Sequence, residues 1–174
     1  MNNKENQIYS PNVVFVRDVS KEVLIDSVVS CFGIRKITPT DINGFDTKQF
    51  SFGLAEVGSW WGIMDNIYYS LYNHKNYLSF IRLLGDEKEV IQIAIGDIDF
   101  SYEIRFYKSG ELKRELIASN TSCKKDEVKT ELNYGKALKG EKYPIDYPQM
   151  FSILRYSGLD IKRADLRYYE YSIS

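Results

Sequence analysis

The chain has 174 residues, 44% of them hydrophobic, and its 23 basic side chains almost balance its 24 acidic ones. It is too apolar and too near neutrality for intrinsic disorder, and it lacks the basic excess of a general nucleic-acid binder. The length suits one domain with a sizeable core rather than two.

The opening Met1–Gln7 is polar and carries no apolar core of a signal peptide. No run approaches the roughly 18 consecutive apolar residues of a membrane-spanning helix, so no membrane partner is expected. Cys31 and Cys123 stand far apart. They are read as free thiols, which makes a reducing cytoplasm the expected compartment. Residues 1–11 are expected to form a flexible arm ending at Pro11, and residues 12–174 a single domain.

Val13–Val16 is a β-branched apolar run that predicts a strand. Ser20 is placed to cap a helix whose apolar positions, Leu24, Val28, Cys31 and Phe32, share one face. Gly33 can take the left-handed conformation that ends it. A short strand over Ile34–Ile37 is followed by turn-forming residues 38–49. Phe50–Val57 and Trp60–Met64 read as strands joined by Gly58-Ser59. A helix follows, with a buried stripe expected at Tyr77, Leu78, Ile81 and Leu84.

Val90–Ile95, Phe100–Tyr107 and Leu112–Ala118 predict a meander of three antiparallel strands, its second hairpin turning at Lys108-Ser109-Gly110. In the middle strand Phe100, Tyr102, Ile104 and Phe106 alternate with Ser101, Glu103, Arg105 and Tyr107, which predicts one buried face and one wet face. Residues 119–134 are charged and are expected to be a long loop or a short frayed helix. Asp146 caps a third helix, with Pro148 in its first turn, and Leu166–Ile173 closes the chain as a strand. The fold class is α+β: a mostly antiparallel sheet with a central three-stranded meander, flanked by about three helices.

The chemistry is read largely by exclusion. His74 is the one histidine, and its neighbours Asn73 and Lys75 suggest solvent. A Ser-His-Asp or Cys-His centre would have to use it. No zinc spacing and no phosphate-binding glycine motif occurs. No enzyme activity, catalytic residue, metal or cofactor is therefore expected. Lys162, Arg163 and Arg167 interleave with Asp160, Asp165 and Glu170, a mixed-charge surface rather than a nucleic-acid strip.

Acids and aromatics remain. Asp97 and Asp99 flank Ile98 between two strands, and Glu103 follows. These acids suit a solvated turn, a divalent-cation site or acid/base pair, or an acidic surface for a basic partner. There are 14 tyrosines, and Trp60-Trp61, Tyr68-Tyr69 and Tyr168-Tyr169 are adjacent pairs. Strand neighbours point to opposite faces, so one member of each pair either leaves the core as an interface anchor or is covered by a second layer.

From Trp60 to Glu141 the order of features resembles small bacterial immunity proteins of polymorphic-toxin systems. A Trp-containing strand leads to a Leu78-Ser79 helix, then to an apolar strand at Val90, Ser101-Tyr102 and a Tyr107–Gly110 hairpin. Arg114 and a spaced Gly135, Leu138 and Glu141 complete the pattern. The resemblance implies a cytoplasmic module that neutralises a cognate toxin by occluding it. The residues expected to meet such a protein partner are Trp61, Asp65, Asp97, Asp99, Glu103 and Tyr169. The alternative is a small-molecule-binding domain or small enzyme with a carboxylate- and tyrosine-lined pocket.

Overall fold

A computed structural model describes residues 10–40, 50–86, 88–96, 99–120, 122–161 and 165–173. The expected loop over 38–49 lies mostly outside them, as do Asp97 and the Lys162-Arg163 pair. Of the expected arm, residues 1–9 lie outside and Ser10 and Pro11 are buried.

In chain order the elements are β1 (Asn12–Arg17), α1 (Lys21–Phe32), β2 (Ile34–Thr40), β3 (Ser51–Val57), β4 (Trp60–Asp65), α2 (Tyr77–Gly85) and β5 (Glu89–Ile95). Then come β6 (Tyr102–Lys108), β7 (Glu111–Ser119), β8 (Lys129–Gly135), α3 (Tyr147–Tyr156) and β9 (Asp165–Ile173). The fold is α+β, with one nine-stranded sheet in the order β2-β9-β3-β4-β1-β5-β6-β7-β8. Every neighbouring pair is antiparallel. The closing strand β9 inserts between β2 and β3 rather than adding an edge.

Local chemistry sets the element ends. The Ser20 side chain accepts from the Val23 amide, and Gly33 ends α1 at φ 66°. The Asp146 carboxylate accepts from the Gln149 amide at 3.0 Å and opens α3. At the β6–β7 hairpin Ser109 (φ 52°) and Gly110 (φ 78°) both adopt positive φ, the backbone of a two-residue turn whose twist matches its strands.

Both faces of the sheet are covered over its central strands. On one face Phe15, Trp60, Met64, Ile93, Ile104 and Leu116 pack with Met150, Ile153 and Leu154 of α3. On the other, Val14, Phe52, Leu54 and Tyr169 pack with Leu24 and Val28 of α1 and Tyr77, Phe80 and Ile81 of α2. This second layer corrects several expectations. Trp60 and Trp61 point to opposite faces yet neither leaves the protein: Trp60 is buried, and the partly buried Trp61 packs against the α1/α2 layer. Tyr169 is buried beneath the same layer and stacks on Phe52. The face of β6 expected to be wet is also covered, with Glu103 9% and Arg105 5% exposed. In α2, Phe80 takes the buried place expected of Leu78, which is exposed.

Residues 129–134, expected within a long loop or a short frayed helix, form β8 together with Gly135. All seven are exposed, so no burial pattern announces the strand. A single 3₁₀ turn, Lys125–Glu127, precedes it. What fixes β8 is a buried ion pair. Arg114 on β7 sends Nη2 to Glu141 Oε1 at 2.7 Å, and the two side chains are 1% and 0% exposed. The same guanidinium donates through Nη1 to Asn133 Oδ1 at 2.7 Å and to the Tyr134 carbonyl at 2.8 Å. Gly135 lies opposite Arg114, and a Cβ there would stand 2.0 Å from the Lys113 carbonyl.

Two stability predictions follow from this packing. Gly62 pairs with Phe15, whose fully buried ring would meet an added Cβ at 2.2 Å. Gly62→Ala should therefore cost about 1–3 kcal/mol of unfolding free energy by urea titration. Glu141→Ala strands a buried guanidinium and should cost about 3–5 kcal/mol. Adding Arg114→Met should recover part of that loss; equal losses in the single and double variants would contradict the pairing.

Candidate functional site

At the end of β4 the chain enters a long connection to α2, residues 66–76, that contains turns but no regular element. Its turns satisfy the Tyr69, Asn73 and His74 amides from within, through the Asn66, Tyr69 and Leu71 carbonyls. The Asp65 carboxylate, 5% exposed, takes three further amides. Oδ1 accepts from the Asn66 amide at 2.9 Å, and Oδ2 accepts from the Leu71 and Tyr72 amides at 3.1 and 2.8 Å. Asn66 extends the lattice, donating from Nδ2 to the Ser51 carbonyl at 2.8 Å and accepting from the Tyr68 amide at 2.9 Å. Burial pushes the Asp65 carboxyl up to about 6, with the amides of Tyr72, Leu71 and Asn66 and the Asn12 side chain pulling the other way.

Fixed in this way, the connection lays two tyrosines over the ends of β5 and β6. Tyr69 donates to the Ile95 carbonyl at 2.9 Å, and Tyr72 donates to Glu103 Oε2 at 3.2 Å. Their rings meet edge-on, with centroids 6.0 Å apart. Beneath them a polar network crosses the sheet. Asn12 Oδ1 accepts from the Tyr77 hydroxyl at 2.8 Å and from Gln92 Nε2 at 3.3 Å. Gln92 Oε1 accepts from Arg105 Nη1 at 3.3 Å, and Arg105 Nε donates to Glu115 Oε1 at 2.9 Å. Arg105 also pairs with Glu103.

Between the 66–76 connection and the ends of β5, β6 and β7 lies a cleft of about 850 Å³. Tyr69, Tyr72, Tyr102 and Tyr147 supply aromatic lining, Ala94, Ile95 and Ile117 supply aliphatic lining, and Asp99 and Glu103 bring carboxylates. Asp99 Oδ1 accepts from the Ser101 amide at 2.9 Å and from its hydroxyl at 2.7 Å. The volume falls within the range of ligand pockets. The cleft continues onto a strip of open sheet, because Leu132 pairs with Ile117 and Tyr134 with Glu115 on the same face. Leu132 and Tyr134 are 39% and 55% exposed.

The six residues singled out in the sequence therefore separate. Asp99 and Glu103 come together in the cleft, and Asp97 lies outside the described residues. Asp65 holds the cleft wall from within and is too deeply buried to meet a partner. Trp61 and Tyr169 lie elsewhere: Trp61 is the second residue of β4, whereas Asp65 ends it, and Tyr169 is on β9, four strands from β5. Sequence reading missed Tyr72, Tyr102 and Tyr147. Their signal was the high tyrosine content, but only folding shows which tyrosines share a wall.

His74, expected as a solvated side chain, is partly exposed; its ring packs edge-on against Phe32, and its Nδ1 accepts from the Asn76 amide at 3.2 Å. Among the described residues no three of His, Cys, Asp and Glu are grouped to hold a metal ion, and no helix is long and apolar enough to cross a membrane. No protein-family model, curated protein or solved structure matches the chain.

The Asp65 environment predicts a pH dependence. With its carboxyl at about 6 in the folded protein against an ordinary 3.8, the native state binds this proton more readily than the unfolded chain. The contribution of this group to stability therefore falls as pH rises between those values. Lowering pH from 7 to 5 should stabilise the wild type by about 1 kcal/mol relative to Asp65→Asn. Parallel stability-against-pH curves for the two proteins would show that the carboxyl is not raised.

Proposed function

We propose that this chain is a non-enzymatic protein-binding module, an immunity protein of the bacterial cytoplasm that neutralises a cognate toxin by covering its functional surface. The observation that carries the reading is the cleft and its rim. Tyrosines, aliphatic side chains and two carboxylates converge at one end of the sheet, next to the open Leu132 and Tyr134 strip, and no lysine, arginine or histidine is among the described lining. Such a face complements a basic, partly apolar segment of a protein partner: aromatic anchors supply affinity, and acids speed encounter and reject acidic surfaces. Nucleic acid, whose phosphates would meet these carboxylates, is not the partner in this reading. Exposed Ile67 and Tyr68 on the 66–76 connection widen the same rim.

The test is co-expression with the product of each reading frame adjacent to the one encoding this chain, followed by hydrogen exchange on the pair that co-purifies; co-purification of none of them would count against the reading. Protection on binding should concentrate in residues 66–73, 99–103 and β7–β8, and Tyr134→Ala with Asp99→Lys should weaken the complex at least about tenfold. Protection confined to α1 or α3, or unchanged affinity in the double variant, would refute this face as the interface. The volume of the cleft favours the second reading, a small-molecule-binding domain. A metabolite that raises the melting temperature of the wild type, with no protein bound under any condition, would select it.

A further inference from the structure

On the face that carries α1 and α2, the helix layer ends before the sheet does. α2 packs on α1, β1 and β5 and runs alongside β6. Its first residue, Tyr77, donates to Asn12 at 2.8 Å, and the carbonyl of its last, Gly85, accepts from the Gly110 amide at 2.9 Å beside the β6–β7 hairpin. Among the described residues no further helix packs on this face of β6, β7 and β8. The opposite face of β6 and β7 is covered, with Ile104, Leu116 and Ala118 packed under α3. The uncovered face forms a groove. At its hairpin end Leu78 and Arg82, one turn apart on α2, stand with Tyr107, Leu112 and Glu115 around a pocket of about 350 Å³. At its other end the groove opens into the cleft at Glu103 and Ile117, and the Arg105–Glu115 ion pair lies on the floor between. Leu78, Leu132 and Tyr134 are 48%, 39% and 55% exposed, an apolar run of the kind that marks an interaction surface.

The dimensions fit one helix. α2 lies over β1 and β5, and β6 and β7 follow in the sheet. Neighbouring strands are about 4.8 Å apart, so a seat over β6 and β7 is about 10 Å from α2. Packed helices have axes roughly 8–10 Å apart. Along β7, Leu112 to Ile117 spans about 17 Å, the length of about eleven helical residues. A sheet face presents side chains and no free backbone groups, so a segment lying on it must satisfy its own amides, which a helix does and an extended chain does not. The charges left over at the two ends of the groove have opposite signs. Among the described residues Arg82, at the hairpin end, pairs with no acid, and Asp99, at the cleft end, pairs with no base. We propose that this groove seats an amphipathic helix of the protein partner, laid beside α2 as a third member of the helix layer. Its apolar side meets Leu78, Leu112, Ile117, Leu132 and Tyr134, with an acidic residue toward Arg82 and a basic one toward Asp99. The inference rests on the protein-binding reading given above and adds the form and polarity of the segment that binds.

The test uses the full chain and the adjacent-frame product that co-purifies with it, with affinity read by calorimetry and association by stopped flow. Leu78→Glu and Leu132→Glu should each weaken the complex at least about tenfold, whereas Leu83→Glu should leave it within about twofold. Leu83 is exposed on the same helix but outside the groove lining. All three positions are exposed, and unchanged melting temperatures check that the variants fold. An alanine scan of the partner segment that binding protects from hydrogen exchange should find its sensitive positions three and four residues apart. Arg82→Glu should slow association, and an acid-to-lysine change in that segment should restore it. Sensitive positions two residues apart would make the occupant an extended chain and overturn the helix seat, as would a complex indifferent to both Leu78→Glu and Leu132→Glu. An association rate indifferent to Arg82→Glu would overturn the polarity. Each of these results leaves protein binding standing, whereas co-purification of no adjacent product overturns protein binding and the helix seat with it.

Discussion

Asp65 holds together the part of the molecule that differs from a plain two-layered sheet. One buried carboxylate takes the amides of Asn66, Leu71 and Tyr72, and so ties both ends of the first turns of the 66–76 connection to the end of β4. The backbone carbonyl of the same residue accepts from Ser10 Oγ at 2.9 Å, which ties the entry to β1 into the arrangement. Desolvation opposes the charge and the amides favour it, and the raised carboxyl shows that desolvation is the larger effect. Charge is retained at neutral pH because protonation would turn one oxygen into a donor facing N–H groups that are themselves donors. The cleft wall, Tyr69 and Tyr72 included, is a consequence of that choice.

The cleft lies at this end of the sheet because of the reach of the helices. α1 and α2 fill one face with aliphatic and aromatic side chains as far as Val90 on β5 and Tyr107 on β6. Toward the opposite end of those strands the same face carries Gln92, Glu103 and Arg105, which cannot pack as hydrocarbons. There hydrogen bonds and ion pairs run from Asn12 through Gln92 and Arg105 to Glu103 and Glu115. Such a network stays buried only while its members are paired. At its end Glu103, held by Arg105 and Tyr72, lines the cleft. Beyond it β7 and β8 extend with Ile117, Leu132 and Tyr134 on an uncovered face, so polar depth and apolar rim adjoin.

How much of this was legible in the sequence follows the range of each interaction. Ser20 and Gly33, Asp146 with Gln149, and the Ser109-Gly110 turn act within a few residues, and each stands where local chemistry put it. The antiparallel meander was legible for the same reason, since hairpin and alternation are local patterns. The second layer was not, because an alternating strand looks alike whether water or a helix covers its polar face; hence the misreading of Glu103 and Arg105, and of Trp61 and Tyr169. β8 carried a weak signal in Thr130, Leu132 and Tyr134 at a spacing of two, masked by Lys129, Glu131 and the charged residues before them. Asp65 was visible as an acid, but the three amides that make it a structural centre come from its own downstream turn, whose path no short window specifies. Asp99 and Glu103 share the cleft lining, since Asp99 lies in the short connection that leads into the strand carrying Glu103.

The features behind the resemblance to immunity proteins now divide by role. Arg114, Gly135 and Glu141 build a clamp: the guanidinium pins β8 through Asn133 and the Tyr134 carbonyl, Gly135 admits the Lys113 carbonyl where a side chain could not fit, and the Glu141 carboxylate closes the pair. Leu138 joins them by donating its amide to Glu141. These residues make the far edge of the sheet rigid and lead the chain back toward α3, whose first residue, Tyr147, lines the cleft. They therefore speak to the scaffold and carry no information about a partner. Asp99, Glu103, Tyr69 and Tyr72 are the residues whose chemistry a partner would meet, and of these none belongs to the clamp. A chain could keep the clamp while exchanging the lining of the cleft, so that under the proposed function the scaffold and the partner-binding surface would be separable.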